Sequence, residues 1–253
     1  MELQAKIQGQ GPAIIILHGL LGTMDNWQTV ANSLSLSHTV CLLDLRNHGR
    51  SPHSEQMNYH LMAEDVASFM SNNWINSAII MGHSMGGKVA MRLAIDYPDN
   101  VEKLIVVDIS PKQYEPGHLE IFKALDSIDL KKLKDRRDAE NVLLESIDDI
   151  STVQFLLKNL SREKDGSFSW KMNLHAIEAN YESILAPIIS SEKFEKPTLF
   201  IKGSRSNHIL EDDEELIKKL FPNSKVITID DAGHWVHADK PKELLEIVNN
   251  FIE

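Results

Sequence analysis

The sequence predicts an α/β protein: a mostly parallel sheet, helices on both of its faces, and one helical insertion. Three observations carry this expectation. Short β-branched apolar runs alternate with stretches of helical period at both ends of the chain. A glycine-bounded pentapeptide, Gly82-His83-Ser84-Met85-Gly86, stands directly between one such run and one such helix. The alternation lapses over residues 112–186, where no buried β run occurs.

Taken in order, residues 3–7 alternate apolar and polar, as an edge strand does, and Gly9 and Gly11 mark a turn. Ala13-Ile14-Ile15-Ile16-Leu17 is an unbroken run typical of a strand buried on both faces. The loop His18 to Thr23 follows, then a helix over Asn26 to Leu36. Val40 to Leu43 reads as a second buried strand and ends in the polar loop Asp44 to Pro52. Leu61 to Trp74 has helical period; Ala78 to Met81 is the next strand and Lys88 to Tyr97 the next helix. Leu104 to Asp108 is a strand that ends on a carboxylate. Residues 112–186 are mostly helical by period, interrupted by the loop Lys164-Asp165-Gly166-Ser167, and their charged stretches read as solvated helix faces. After Pro197 the β/α rhythm returns: strand Thr198 to Lys202, helix Asp212 to Phe221, strand Lys225 to Ile229, and a closing helix Lys240 to Ile252. The expected division is a core of residues 1–111 and 187–253 with a helical cap of residues 112–186.

The 253 residues suffice for a sizeable core, and 42% hydrophobic with 25% charged residues is ordinary for a globular chain. A net charge of −11 argues against a protein that tracks nucleic-acid phosphates. One cysteine, Cys41, allows no internal disulfide and no cysteine-rich metal site. The start, Met1 to Lys6, lacks the apolar stretch of a signal peptide, and no apolar run reaches membrane-spanning length. The expectation is a cytoplasmic protein with no membrane span.

The chemistry-bearing residues fall on loops at the carboxyl ends of the expected strands, where sites of such sheets gather. A strand that becomes a helix within five residues needs a very tight turn, and its apex, Ser84, is pushed out beside the positive end of the helix. A serine hydroxyl becomes a nucleophile when a base takes its proton. His234, in the glycine-containing loop after the last strand, is the base candidate, with His237 as its competitor. The base needs a carboxylate to hold its tautomer. The loop after Lys202 has none before Glu211, whereas Asp108 closes a buried strand, where an unpartnered carboxylate is costly. The alternative for Asp108 is a carboxylate that caps a helix or binds loop amides. Asp230 and Asp231 read as turn residues. An oxyanion needs two backbone amides. Met85, at a helix start, and Leu20, in the loop after the first buried strand, are placed to give them.

With these residues assembled, the chain resembles the α/β-hydrolases over essentially its whole length. The motifs that match, in order, are His18-Gly19-Leu20-Leu21-Gly22 with Trp27, Asp44 to Ser51, Gly82-His83-Ser84-Met85-Gly86-Gly87, and Gly233-His234. Val107-Asp108-Ile109-Ser110-Pro111 and Trp170-Lys171-Met172-Asn173-Leu174 resemble the YbfF-type esterases within that superfamily. The resemblance implies an α/β-hydrolase fold with an inserted helical cap, a catalytic triad of Ser84, Asp108 and His234, and an oxyanion hole from the Leu20 and Met85 amides. It implies no cofactor and no metal, and a small acyl ester or acyl-CoA thioester of short to medium chain as substrate. Ser206 and His208 lie where that family varies and carry no assigned role. Other activities on the same scaffold are carbon–carbon bond hydrolysis or lysis, cofactor-free perhydrolysis, and ligand reception without turnover. A haloalkane dehalogenase is disfavoured because Ser84 stands where its carboxylate nucleophile would be.

Overall fold

The computed structural model describes residues 1–253. Its main sheet is built from β1 (Ala5–Gln8), β2 (Ala13–Leu17), β3 (Thr39–Leu43), β4 (Ala78–His83), β5 (Val101–Val107) and two later strands, β8 and β9, whose ranges follow. Between the first five run α1 (Gln28–Leu34), α2 (Tyr59–Asn72) and α3 (Met85–Asp96). The segment after β5 holds α4 (Leu119–Asp126), α5 (Arg136–Leu144), α6 (Ile150–Leu157), a hairpin of β6 (Leu160–Arg162) and β7 (Phe168–Trp170), then α7 (Leu174–Ala179) and α8 (Tyr181–Leu185). The chain finishes with β8 (Thr198–Gly203), α9 (Asp213–Leu220), β9 (Ser224–Ile229), α10 (Val236–Asp239) and α11 (Pro241–Ile252). The sheet order is β1-β3-β2-β4-β5-β8-β9; only β1, at the edge, is antiparallel to its neighbour.

Strand alternation explains why the central runs are wholly apolar. Ile15, Ile80 and Leu104 lie in one row across β2, β4 and β5 and belong to the core that α2, α3 and the segment after β5 cover. The next row, Ile16, Met81, Ile105 and Leu199, points the other way into the core under α1 and α11. Buried on both faces, residues 14–17, 78–81 and 104–107 carry no polar side chain, whereas Glu102 at the start of β5 is exposed.

Two elements differ from the sequence reading. The expected helix over Asn26 to Leu36 begins earlier and tighter, as a 3-10 turn over Met24–Trp27, before α1. The Asn26 side chain accepts from the Thr23 amide at 2.7 Å, and Asp44 accepts from the Met24 amide at 2.7 Å, which fixes the start two residues upstream. Leu160, grouped by period with the helical residues before it, instead pairs with Trp170 in the hairpin. Three residues per strand are too few to show a period of two. No helix is long and apolar enough to cross a membrane.

The β4–α3 turn is possible only because two of its residues lack side chains. A Cβ on Gly82 would lie 2.1 Å from the Gly86 carbonyl oxygen, and one on Gly86 would lie 2.5 Å from the Leu17 carbonyl oxygen. Helix α3 therefore sits directly on the ends of β2 and β4. Gly82→Ala should destabilise the protein by about 3 kcal/mol, since the clash is with backbone that cannot rotate away. Thermal denaturation checks this, and a melting temperature equal to that of the wild type would refute the close approach.

Candidate active site

Ser84 is the apex of that turn. Its φ of 52° and ψ of −121° are conformations that side-chain-bearing residues rarely hold, and they lift the side chain out of an otherwise buried stretch. The Ser84 amide donates to the Val107 carbonyl at 3.0 Å, and its own carbonyl accepts from Gly87 and Lys88, so the strain is held from both sides.

The structure brings Ser84, His234 and Asp108 into one line. His234 Nε2 lies 3.1 Å from Ser84 Oγ, and its Nδ1 lies 2.7 Å from Asp108 Oδ2. Asp108 is fully buried just past β5, with φ 54°. Its Oδ1 accepts from the Gly203 amide at 3.0 Å, and its Oδ2 also accepts from Ser206 Oγ. Burial raises the Asp108 carboxyl above its ordinary value, and these donors pull it back. Burial lowers His234 below the ordinary histidine value, so the ring rests neutral near pH 7 and can accept a proton.

The loop that carries His234 is tied to the end of β8. The Arg205 amide donates to the Ala232 carbonyl at 2.9 Å, and Ser204 Oγ accepts from the Asp231 amide at 2.9 Å. Asp231 is thus a turn residue, as read. His237 does not reach Ser84; its ring stacks on Trp27 with centroids 4.3 Å apart. His83 has a definite place: its Nε2–H donates to the His234 carbonyl at 2.9 Å, and its ring lies 4.7 Å from that of His234.

Leu20 and Met85 flank the serine. Met85 is the first residue of α3, so its amide has no helical partner. The Leu20 N–H is oriented through its own peptide plane. The Gly19 carbonyl accepts from His18 Nδ1 at 2.8 Å and from the Gly22 amide at 3.0 Å, and in a trans peptide the Leu20 N–H points the opposite way. His18 Nε2 accepts from the Leu45 amide at 3.0 Å, which sets the tautomer. His48 does the same one residue on: Nδ1–H donates to the Arg46 carbonyl, and Nε2 accepts from the Leu21 amide at 3.1 Å. The Leu21 carbonyl in turn accepts from the buried Asn159 Nδ2 at 2.7 Å.

Two clefts meet at Ser84. The first, about 570 Å³, is walled by Trp27, Ile121, Phe155, Leu156 and Trp235 and includes His234. The second, about 520 Å³, is walled by Tyr59, Ile109, Tyr181 and Ile184 and includes Met85, Lys88 and His208. Asp108, His208 and His234 each bring one donor atom within 4.8 Å of the others, as a metal site would. Asp108 Oδ2 is, however, already engaged by His234 Nδ1 and Ser206 Oγ. Sequence reasoning missed Ser206 and His208. Their only signal was the polar loop after β8, where a carboxylate was sought and not found.

Comparison with known proteins gives one family match: the alpha/beta hydrolase fold model covers residues 12–241. The sn-1-specific diacylglycerol lipase ABHD11 of Danio rerio is 37% identical over 97% of this chain and 80% of that protein. Esterase YbfF of Escherichia coli is 33% identical over 98% of this chain and 96% of that protein. Among solved structures, a marine microorganism esterase superposes with a TM-score of 0.97 at 43% identity, covering 99% of each chain.

The buried imidazoles make a prediction about acid. Burial lowers His18 to about 4 and His48 to about 3. In the unfolded chain both take up protons near pH 6.5, so stability is full above that pH and is lost as pH falls from 6.5 towards 4 and 3. Burial also lowers His83, His118, His208, His234 and His237, while the carboxyls it raises are three, Asp44, Asp108 and Glu178. The histidines therefore set the sign. Denaturant midpoints should fall steadily from pH 7.0 to 5.5, each histidine contributing at most about 1.4 kcal/mol per pH unit. A flat profile would contradict neutral buried rings.

Proposed function

The chain belongs to the α/β-hydrolase family, and on that premise we propose that it is a carboxylesterase-type serine hydrolase cleaving short-to-medium acyl esters or acyl-CoA thioesters. The observation that carries this reading is the line Ser84–His234–Asp108, with two unspent amides beside the hydroxyl. Ser84 Oγ attacks the acyl carbonyl carbon while His234 Nε2 takes its proton. The carbonyl oxygen, now an oxyanion, is held by the Leu20 and Met85 amides. Asp108 holds the ring in the required tautomer and stabilises the imidazolium. When the tetrahedral intermediate collapses, the carbon–oxygen or carbon–sulfur bond breaks and His234 returns the proton to the leaving group. Water then gives a proton to His234 and attacks the acyl-enzyme; the acid departs and Ser84 regains its hydrogen.

Residues 112–186 act as the cap that walls both clefts. The first cleft, beside the imidazole that returns the proton, holds the leaving group, and the second, beside Met85, holds the acyl chain. Phe155, Trp235 and His237 of the first cleft also border a wider mouth that runs to Ile150 and Lys158. That opening leaves room for a bulky leaving group, which is what supports thioesters alongside simple esters.

A fluorophosphonate probe should label Ser84, and Ser84→Ala should abolish labelling. Failure to label under conditions where control hydrolases react would sink the nucleophile assignment. Asp108→Asn should lower kcat by about 10⁴-fold, whereas the exposed Glu211→Gln should change it little. Steady-state kinetics on p-nitrophenyl esters separates them, and equal losses would overturn the role given to Asp108.

A further inference from the structure

We propose that His208 is a positioning residue for the general base, acting as a fixed ring that covers one face of His234. The proposal rests on the hydrolase reading above. The two rings are nearly parallel, 18° apart, with centroids at 3.7 Å. His234 also lies near His83, tilted by 42° at 4.7 Å. The imidazole edges are taken by Asp108 and Ser84. His234 is therefore covered by His208 on one face and engaged at both nitrogens.

His208 is itself immobilised. Its carbonyl accepts from Tyr114 Oη at 2.5 Å, and that oxygen accepts in turn from the Ser110 amide at 2.8 Å. Its Nδ1 lies 3.2 Å from Ser206 Oγ, whose proton goes to Asp108. The Tyr114 ring lies 5.7 Å from the His208 ring. The charged or titratable groups that face the pair are Asp108 from the end of β5, His83 from β4, and Lys112, Tyr114 and His118 from the segment after β5. His237 faces it from α10.

During turnover His234 becomes an imidazolium. A neutral ring stacked on it keeps water away from the charge. Asp108 and Ser84 fix the ring's edges; His208 fixes its plane, and with it the direction of Nε2 towards Oγ. Removing the ring leaves the plane free to tilt and lets water onto the face.

Two variants separate the stack from the hydrogen bonds. His208→Phe keeps a flat ring and loses the Nδ1 contact with Ser206; His208→Ala loses both. His208→Ala should lower kcat at least tenfold and move the acid limb of the pH profile of kcat/KM upward. His208→Phe should keep kcat within threefold and leave the limb in place. An NMR titration of the His234 ring gives the same comparison without turnover: its pKa should rise towards the ordinary value in His208→Ala and stay put in His208→Phe. Equal behaviour of the two variants in that titration, or no change in either, overturns the proposal. The expected titration shift in a protein that neither hydrolyses esters nor labels at Ser84 overturns the hydrolase reading and leaves the stack's hold on the His234 proton standing.

Discussion

One buried carboxylate holds the site together. Asp108 has no contact with solvent, yet its two oxygens accept from the Gly203 amide, the Ser206 hydroxyl and the His234 imidazole. Those donors come from the last residue of β8, the loop after it and the loop after β9, and Asp108 itself directly follows β5. A buried anion with fewer partners would be costly, so folding satisfies it by drawing the three loops to one point. His234 then stands over the β4–α3 turn, where Ser84 is already forced outward. The alignment of hydroxyl, imidazole and carboxylate follows from charge satisfaction at the end of a parallel sheet.

The parts of this arrangement that were legible in the sequence are those whose cause is local. The turn around Ser84 shows itself because close backbone approach demands Gly82 and Gly86 within the same five residues. Asp108 shows itself because a charge after four apolar residues conflicts with a buried strand unless something answers it. The central strands are visible for a related reason, since burial on both faces leaves runs of apolar residues at 14–17, 78–81 and 104–107. What could not be read depends on partners distant in number. Ser206 and His208 look like ordinary loop residues until Asp108 and His234 arrive beside them. His83, adjacent to Ser84, gains its place from the His234 carbonyl 151 residues later. The β6–β7 hairpin and the early start of the helix after Thr23 were lost because pairs and caps of two or three residues leave no period.

The same logic governs the loop that bears Leu20. Neutral imidazoles of His18 and His48 each donate on one side and accept on the other, so each works as a rigid strut between two backbone groups. A protonated ring would have two donors and would break one of those contacts. Burial keeps both rings neutral, and the peptide planes around Leu20 inherit their orientation from that neutrality.

Lys88, one helical turn past Ser84, sits fully buried with its ammonium on the carbonyls of Lys112 and Ala186, each at 2.7 Å, and near that of Leu185. Those carbonyls belong to the strands of chain that leave for, and return from, the segment above the site. Tyr59 and Tyr114 close the ammonium in with their rings, and burial brings its pKa down to about 7. Swinging the whole segment open would mean tearing a cation from a dry cage, so its base behaves as a riveted joint. An opening that pivots at the two ends of this segment would strip those carbonyls from Lys88, whereas one confined to α4, α5 and α6 would leave α3 joined to both ends.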